Sequence, residues 1–318
     1  MSNLKVSIVT DAKEETASFT KGIFSDAMEV MLQTESEIRD SIGDINVLVP
    51  GHITVDADLI KNGTNLKMIH CGTGYNNVDL DACTANGTYV AVTPNVAAQS
   101  VAELVFASFL ALAKKITTFD SMMKSGGWKT TDFINTPELK GKTLGIVGYG
   151  NIGKAAARIA RGFSMNLIAH DPHIEITDDD VRSVSLEELL KESDFITLHV
   201  LLTPETKGMM STAQFEMMKD TAIIANASRG PVVDEEAITE ALTARKIGGA
   251  CLDVYEKEPL AGNSKLRELD NVILTPHIAY CADEALAARF QFFAENCQKL
   301  IDGETPNMAV NGDDVNNG

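Results

Sequence analysis

The chain has 318 residues, 44% of them hydrophobic and 23% charged, which is the make-up of a packed globular protein of about two domains rather than of a fibrous or disordered one. Its formal charge of −18 excludes a nucleic-acid surface, because that needs clustered Lys and Arg to displace phosphate counterions. A small anionic ligand is not excluded, since one buried arginine acts locally while distant charges are screened beyond about 8–10 Å.

Short apolar strands are predicted at Val6–Thr10, Val47–Val49, Lys67–His70 and Tyr89–Val92, separated by helical stretches, the alternation of an α/β unit. From Ser100 to Lys115, Val101, Leu104, Val105, Ser108 and Leu112 recur at helical spacing, so a long helix leaves that unit. A second alternation places strands at Leu144–Gly148, Leu167–His170, Phe195–His199, Ala222–Ala225, Ala250–Val254 and Val272–Leu274, joined by amphipathic stretches such as Glu235–Lys246. Apolar strands of this kind form a parallel sheet buried on both faces. The final helix, Asp283–Leu300, has the length to return to the first unit. The expectation is α/β with two doubly wound parallel-sheet domains, residues 1–99 with 283–318 forming one and residues 100–282 inserted as the other. The polar tail Asn307–Gly318 is expected to be mobile.

Five cysteines, Cys71, Cys83, Cys251, Cys281 and Cys297, lack C-x-x-C spacing and give neither a disulfide framework nor a zinc site. No signal-peptide pattern opens the chain, and the longest apolar run, Leu104–Ala113, is too short to span a bilayer. A cytoplasmic protein with no membrane or nucleic-acid partner and no metal is expected.

Gly148-Tyr149-Gly150-Asn151-Ile152-Gly153 follows an apolar strand and opens a helix. In that setting the G-x-G-x-x-G glycines allow a tight turn, backbone approach to a pyrophosphate, and close helix packing, which is the fingerprint of a Rossmann dinucleotide site. Asp171 ends the next strand, eighteen residues after Gly153. A carboxylate there accepts hydrogen bonds from an adenosine ribose and repels a 2′-phosphate, so NAD is favoured over NADP; the same residue also suits a turn before Pro172.

Arg229, Glu258 and His277 each follow the carboxyl end of a predicted strand, where an open parallel sheet binds its ligands. Their chemistry fits one reaction, hydride transfer to a 2-oxo acid. Histidine titrates near neutrality and can give the proton that a developing alkoxide needs. A glutamate beside it orients the ring and favours the imidazolium. Arginine offers a permanently charged fork for a substrate carboxylate and can polarise the 2-oxo group. His52, His70, His170, His173 and His199 have no comparable Arg and Glu at equivalent strand ends.

Across nearly its whole length the sequence resembles the D-isomer-specific 2-hydroxyacid dehydrogenases. The resemblance rests on Gly148–Gly153, on Asn226-Ala227-Ser228-Arg229-Gly230, on Gly249–Pro259 with its Asp-Val and Glu-Pro pairs, and on Thr275-Pro276-His277-Ile278. It implies a Rossmann NAD domain inserted into a flavodoxin-like substrate domain. It also implies that Arg229 binds substrate, that Glu258 and His277 are the acid/base pair, and that Asp253 takes the nicotinamide carboxamide. Thr203-Pro204 would line the adenine side, with Ala227 and Ser228 beside the cofactor, and the backbone at Cys71, Gly72 and Thr73 would grip the substrate carboxylate. D-stereochemistry and homodimerisation through the Ser100–Lys115 helix come from the same source.

Departures from the family pattern bear on the substrate. His70 and Pro50 stand where phosphoglycerate dehydrogenases carry arginines, and the chain ends without a further regulatory domain, so glyoxylate, hydroxypyruvate or another short 2-oxo acid is expected. Glu258 argues against a formate dehydrogenase, which uses Gln there. Leu201 replaces a usual proline before Thr203-Pro204. The family also includes transcriptional corepressors that use NAD(H) to control assembly; the acidic composition and the lack of an evident docking extension favour an enzyme.

Overall fold

The computed structural model describes residues 3–93, 96–130 and 134–317. Its contacts divide the chain into two compact units, Met1–Val96 with Ala282–Gly318, and Ala97–Cys281.

In the first unit the elements run β1 (Leu4–Val9), α1 (Lys13–Thr20), β2 (Met28–Gln33), α2 (Glu35–Ser41), β3 (Val47–Val49), α3 (Ala57–Asn62), β4 (Met68–Cys71), α4 (Leu80–Ala85) and β5 (Tyr89–Val92). All five strands are parallel, in the order β2-β1-β3-β4-β5, the flavodoxin-like order. Helix starts are written in the sequence: Thr34 and Glu37 form a capping box on α2, and Asp56 and Asp79 cap α3 and α4 by accepting the amide three residues on, each replacing a bond that a helix end lacks. Apolar side chains cover both faces of the sheet. Ile38, Leu59, Ile60 and Leu66 pack with Leu48, Ile69 and Val90 on one side, and Val6, Val47, Met68 and Ala91 pack with Cys297 on the other.

β2 is absent from the strands expected of the sequence. It is an edge strand in which only Met28 is buried, so it shows no uninterrupted apolar run. The tail also differs from expectation. Val92 donates to the Met308 carbonyl and Val310 to that of Val90, at 3.1 and 2.8 Å, which lays residues 308–310 antiparallel along β5. The buried Asn311 accepts from the Val90 amide and donates to the Thr88 carbonyl and the Thr84 hydroxyl. A polar composition here records a set of side-chain to backbone bonds, not mobility.

The second unit contains α5 (Ala98–Ala113), α6 (Ile116–Lys124), β6 (Thr143–Val147), α7 (Asn151–Gly162), β7 (Asn166–His170), β8 (Val181–Ser183), α8 (Leu186–Glu192), β9 (Phe195–Leu198), α9 (Thr212–Met217), β10 (Ile223–Asn226), α10 (Glu235–Thr243), β11 (Gly249–Leu252) and β12 (Val272–Leu274). The chain then returns to the first unit as α11 (Asp283–Asp302) and α12 (Gly312–Asn317). The seven strands are parallel in the order β12-β11-β10-β9-β6-β7-β8. Strand order reverses at β6, and β6 and β9 are neighbours there, so their carboxyl ends flank the crevice where such sheets bind ligands. β8, three residues long with only Val181 buried, was too short and charged to stand out. The helix expected at Ser100–Lys115 is α5, and its apolar side chains Ala102, Val105, Phe106 and Phe109 are spent in the unit's own core. Among the described residues of α6 none is buried, although Ile116, Met122 and Met123 lie on it.

Candidate active site

β6 delivers the chain to Gly148, whose φ of +91° is left-handed. A Cβ there would lie 2.6 Å from the His199 carbonyl oxygen at the end of β9. One at Gly153 would lie 2.3 Å from the carbonyl oxygen of Gly148, so α7 can pack against its own entry turn only as glycine. Gly150, which begins α7, has nothing within 4 Å of its missing side chain. The turn is thus closed where it meets protein and open where a ligand's backbone-facing phosphates would come, over the unpaired first amides of a 12-residue helix.

Asp171, just after β7, serves the same turn. One carboxylate oxygen accepts from the Tyr149 amide at 2.8 Å, and the other from the amides of His173 and Ile174 at 2.9 and 3.0 Å. These occupy three of about four acceptor positions, so turn-former and ribose acceptor are compatible roles for one side chain. The Tyr149 side chain is not available to a ligand: it is buried and its hydroxyl donates to Asp178 at 2.7 Å. Thr203 and Pro204 lie in a turn after β9 that Thr206 ties together through the Thr203 amide and the Leu201 carbonyl. Glu205 in that turn is held below the usual carboxylate range, first by the Thr203 hydroxyl.

The three residues expected to carry the chemistry, Arg229, Glu258 and His277, come from loops after β10, β11 and β12. Asn226 braces the first: its oxygen accepts from the Ser228 amide and hydroxyl, and its nitrogen donates to the Arg229 carbonyl. A Cβ on Gly230 would lie 1.8 Å from the Tyr255 carbonyl oxygen, so only glycine lets this loop press against the one that follows β11. Burial pulls the Arg229 guanidinium below its ordinary range, and the charge of Glu258 works against that. Glu258 accepts from the Tyr255 amide through one oxygen, while its other oxygen is 2.7 Å from His277 Nδ1. His277 has a left-handed φ of +55°, an uncommon state for a side chain with a Cβ that must be held by its surroundings.

Asp253 does the holding. It is 3% exposed; its carbonyl takes the His277 amide, one carboxylate oxygen takes the Thr275 hydroxyl and the Ile278 amide, and the other takes the Ala279 amide. The family resemblance implied a nicotinamide role for Asp253; in the fold its visible work is the shape of the histidine loop. Tyr280, which no sequence signal marked, stands edge-on to the His277 ring with centroids 5.9 Å apart.

In the first unit, Cys71 ends β4 and Gly72 and Thr73 follow it. The Cys71 carbonyl receives the Thr93 hydroxyl, and the Gly72 carbonyl receives the Thr93 amide. His70 behind them is buried and pushed down to about 3, chiefly by burial. It is therefore neutral and cannot replace the positive charge of an arginine.

Residues 106–279, more than half of the chain, match the D-isomer specific 2-hydroxyacid dehydrogenase family in its NAD-binding domain. The chain belongs to that family. It is 42% identical over 270 residues to a glyoxylate reductase of Thermococcus litoralis, with 81% of each chain covered. It is 36% identical over 316 residues to a D-3-phosphoglycerate dehydrogenase of Archaeoglobus fulgidus, covering 97% of this chain but 59% of that one. Among solved structures, D-lactate dehydrogenase from Aquifex aeolicus, complexed with NAD and lactic acid, superposes with a TM-score of 0.83 at 29% identity, over 94% of this chain and 96% of that one.

This dehydrogenase is thus an NAD-dependent oxidoreductase acting on 2-hydroxy acids. Its own residues fit the cofactor: the open face of Gly150, the helix behind it and the Asp171 carboxylate are what a dinucleotide requires. Among the described residues no helix is long and apolar enough to cross a membrane.

Proposed function

We propose that this dehydrogenase reduces a short 2-oxo acid, glyoxylate or hydroxypyruvate, with the unit Ala97–Cys281 holding NAD and the other unit holding the acid. The observation that carries the reading is the Glu258–His277 contact of 2.7 Å at Nδ1, beside a half-buried arginine. The nicotinamide, when bound, supplies the hydride. With Nδ1 bonded to the carboxylate, Nε2 is the nitrogen that passes a proton to the carbonyl oxygen of the substrate, and Glu258 balances the imidazolium charge before transfer. The Arg229 fork pairs with the substrate carboxylate and polarises the 2-oxo group. The backbone at Cys71, Gly72 and Thr73 grips the carboxylate, while Thr203, Pro204, Ala227 and Ser228 border the cofactor chiefly through main chain, since the Ser228 hydroxyl is committed to Asn226.

His70 and Pro50 supply neither of the arginines that phosphoglycerate dehydrogenases carry at those places, which disfavours phosphoglycerate. A cytoplasmic homodimer is part of the same proposal. The surface that favours a second copy is α6 with the exposed Trp128, rather than α5. Large apolar side chains left uncovered together mark interaction sites.

Loss of NADH absorbance on adding glyoxylate, hydroxypyruvate or pyruvate tests the activity, and NADH binding without turnover across the panel would sink it. His277→Gln lowers kcat by about 10²- to 10⁴-fold, the usual range for a positioned proton donor, and leaves the NADH Kd unchanged. A matching loss of NADH affinity would make His277 structural.

A further inference from the structure

The residue that the sequence motifs pass over is Arg289, on the second turn of α11. The only described atoms within 4 Å of a Cβ built on Gly72 are its Cζ and one terminal nitrogen, each at 3.8 Å. The guanidinium therefore lies over the bare side of the very residue whose backbone is assigned to the substrate carboxylate. Its aim is fixed from below: Cζ stands 5.2 Å from the centre of the Phe293 ring, one helical turn on. Phe293 is fully buried and packs against His70 with ring centres 4.2 Å apart. An arginine laid on an aromatic face in this way is oriented as well as attracted.

His70 and Cys71, its neighbours at the end of β4, are themselves neutral. His70 donates through Nδ1 to the Cys71 carbonyl at 3.2 Å and accepts at Nε2 from Asn296 at 2.8 Å, which fixes one neutral tautomer. Burial first, and the Arg289 charge in addition, keep it unprotonated. Cys71 stays a thiol, its ionisation pushed up to about 12 by burial. Arg289 thus brings a permanent positive charge to the end of β4, where His70 and Cys71 carry none.

We infer that Arg289 is a substrate-binding residue, its guanidinium pairing with the carboxylate of the 2-oxo acid held by Cys71, Gly72 and Thr73. The inference rests on the 2-oxo acid reading above. It gives the loop after β4, which lacks the arginine of phosphoglycerate dehydrogenases, a positive charge that attracts an anion.

The test uses the full chain with Arg289→Met, which keeps a long stem over Phe293, and Arg289→Lys, which keeps the charge. Arg289→Met raises the KM of the best substrate in the panel about 10- to 100-fold, the range for losing a charge-assisted hydrogen bond. It changes kcat little and the NADH Kd not at all, and Arg289→Lys recovers part of the loss. A wild-type KM in Arg289→Met, or loss of kcat and NADH affinity together, overturns the assignment. So does a lysine variant as impaired as the methionine one. Oxalate binding by calorimetry, with and without NADH, separates this from the activity itself. If no 2-oxo acid is reduced, an oxalate affinity at least about tenfold weaker in Arg289→Met still supports a carboxylate site, and equal affinity, or none in the wild type, removes it.

Discussion

The two units are both parallel sheets wound on each side, yet they shape their ligand loops by opposite means. In the nucleotide unit the loops are set by exclusion. Gly148, Gly153 and Gly230 sit where any Cβ would lie 2.6 Å or less from a backbone oxygen, so the turns are specified by what cannot be there. In the unit that carries β4 the loop is set by attachment. His70, Thr93, Asn296 and Asn311 are buried polar groups, each bonded to main chain or to one another. Exclusion fails all at once when an atom is added, whereas attachment fails bond by bond.

The sharpest way to break that contrast is the same substitution in both units. Gly230→Ala forces a methyl to within 1.8 Å of the Tyr255 oxygen and is expected to cost at least about 3 kcal/mol, with loss of activity. Gly72→Ala meets only the Arg289 guanidinium at 3.8 Å, an ordinary contact, and is expected to keep the wild-type melting temperature while raising substrate KM. Comparable melting temperatures for the two variants would erase the distinction. Next in size, Asn296→Ala removes the partner of His70 Nε2 and of both backbone groups of Asn307. About 1–3 kcal/mol of stability should go, read from denaturant midpoints, with NADH affinity untouched.

The smallest effect at neutral pH is the one that acid enlarges. His70 and His199, one in each unit, are both pushed from 6.5 to about 3 by burial, so the unfolded chain binds a proton that the folded chain refuses. Stability therefore falls as pH drops from about 6.5 toward 3, by about 2 kcal/mol per histidine at pH 5. His70→Gln should flatten that fall by one histidine's share; an unchanged slope between pH 7 and 5 would mean that His70 is protonated in the fold.

The same contrast explains what could be read from the sequence. Glycines forced by exclusion, and Arg229, Glu258 and His277 at strand ends, carry local signals: a spacing, a preceding apolar run, a residue type. Attachment has no such signature. Nothing near Asn311 announces that β5 is its partner more than two hundred residues earlier, and a polar tail therefore read as a mobile one. Arg289 went unmarked because its meaning depends on Gly72, brought beside it only by the fold. Asp253 was recognised as important, but its bonds to Thr275, Ile278 and Ala279 were visible only once β11 and β12 lay side by side. β2 and β8 were missed because edge strands bury little and so need few apolar residues.

The polar seat beneath β4 also sets an order of events during synthesis. The unit Ala97–Cys281 is continuous in the chain and can close as soon as it leaves the ribosome, since domains fold as units while translation proceeds. The sheet that begins with Leu4 emerges earlier, but His70 must wait for Phe293 and Asn296 before its ring is enclosed. The half of the molecule made first is thus the half finished last, and until residues 308–310 arrive its β5 edge needs shelter from other nascent chains.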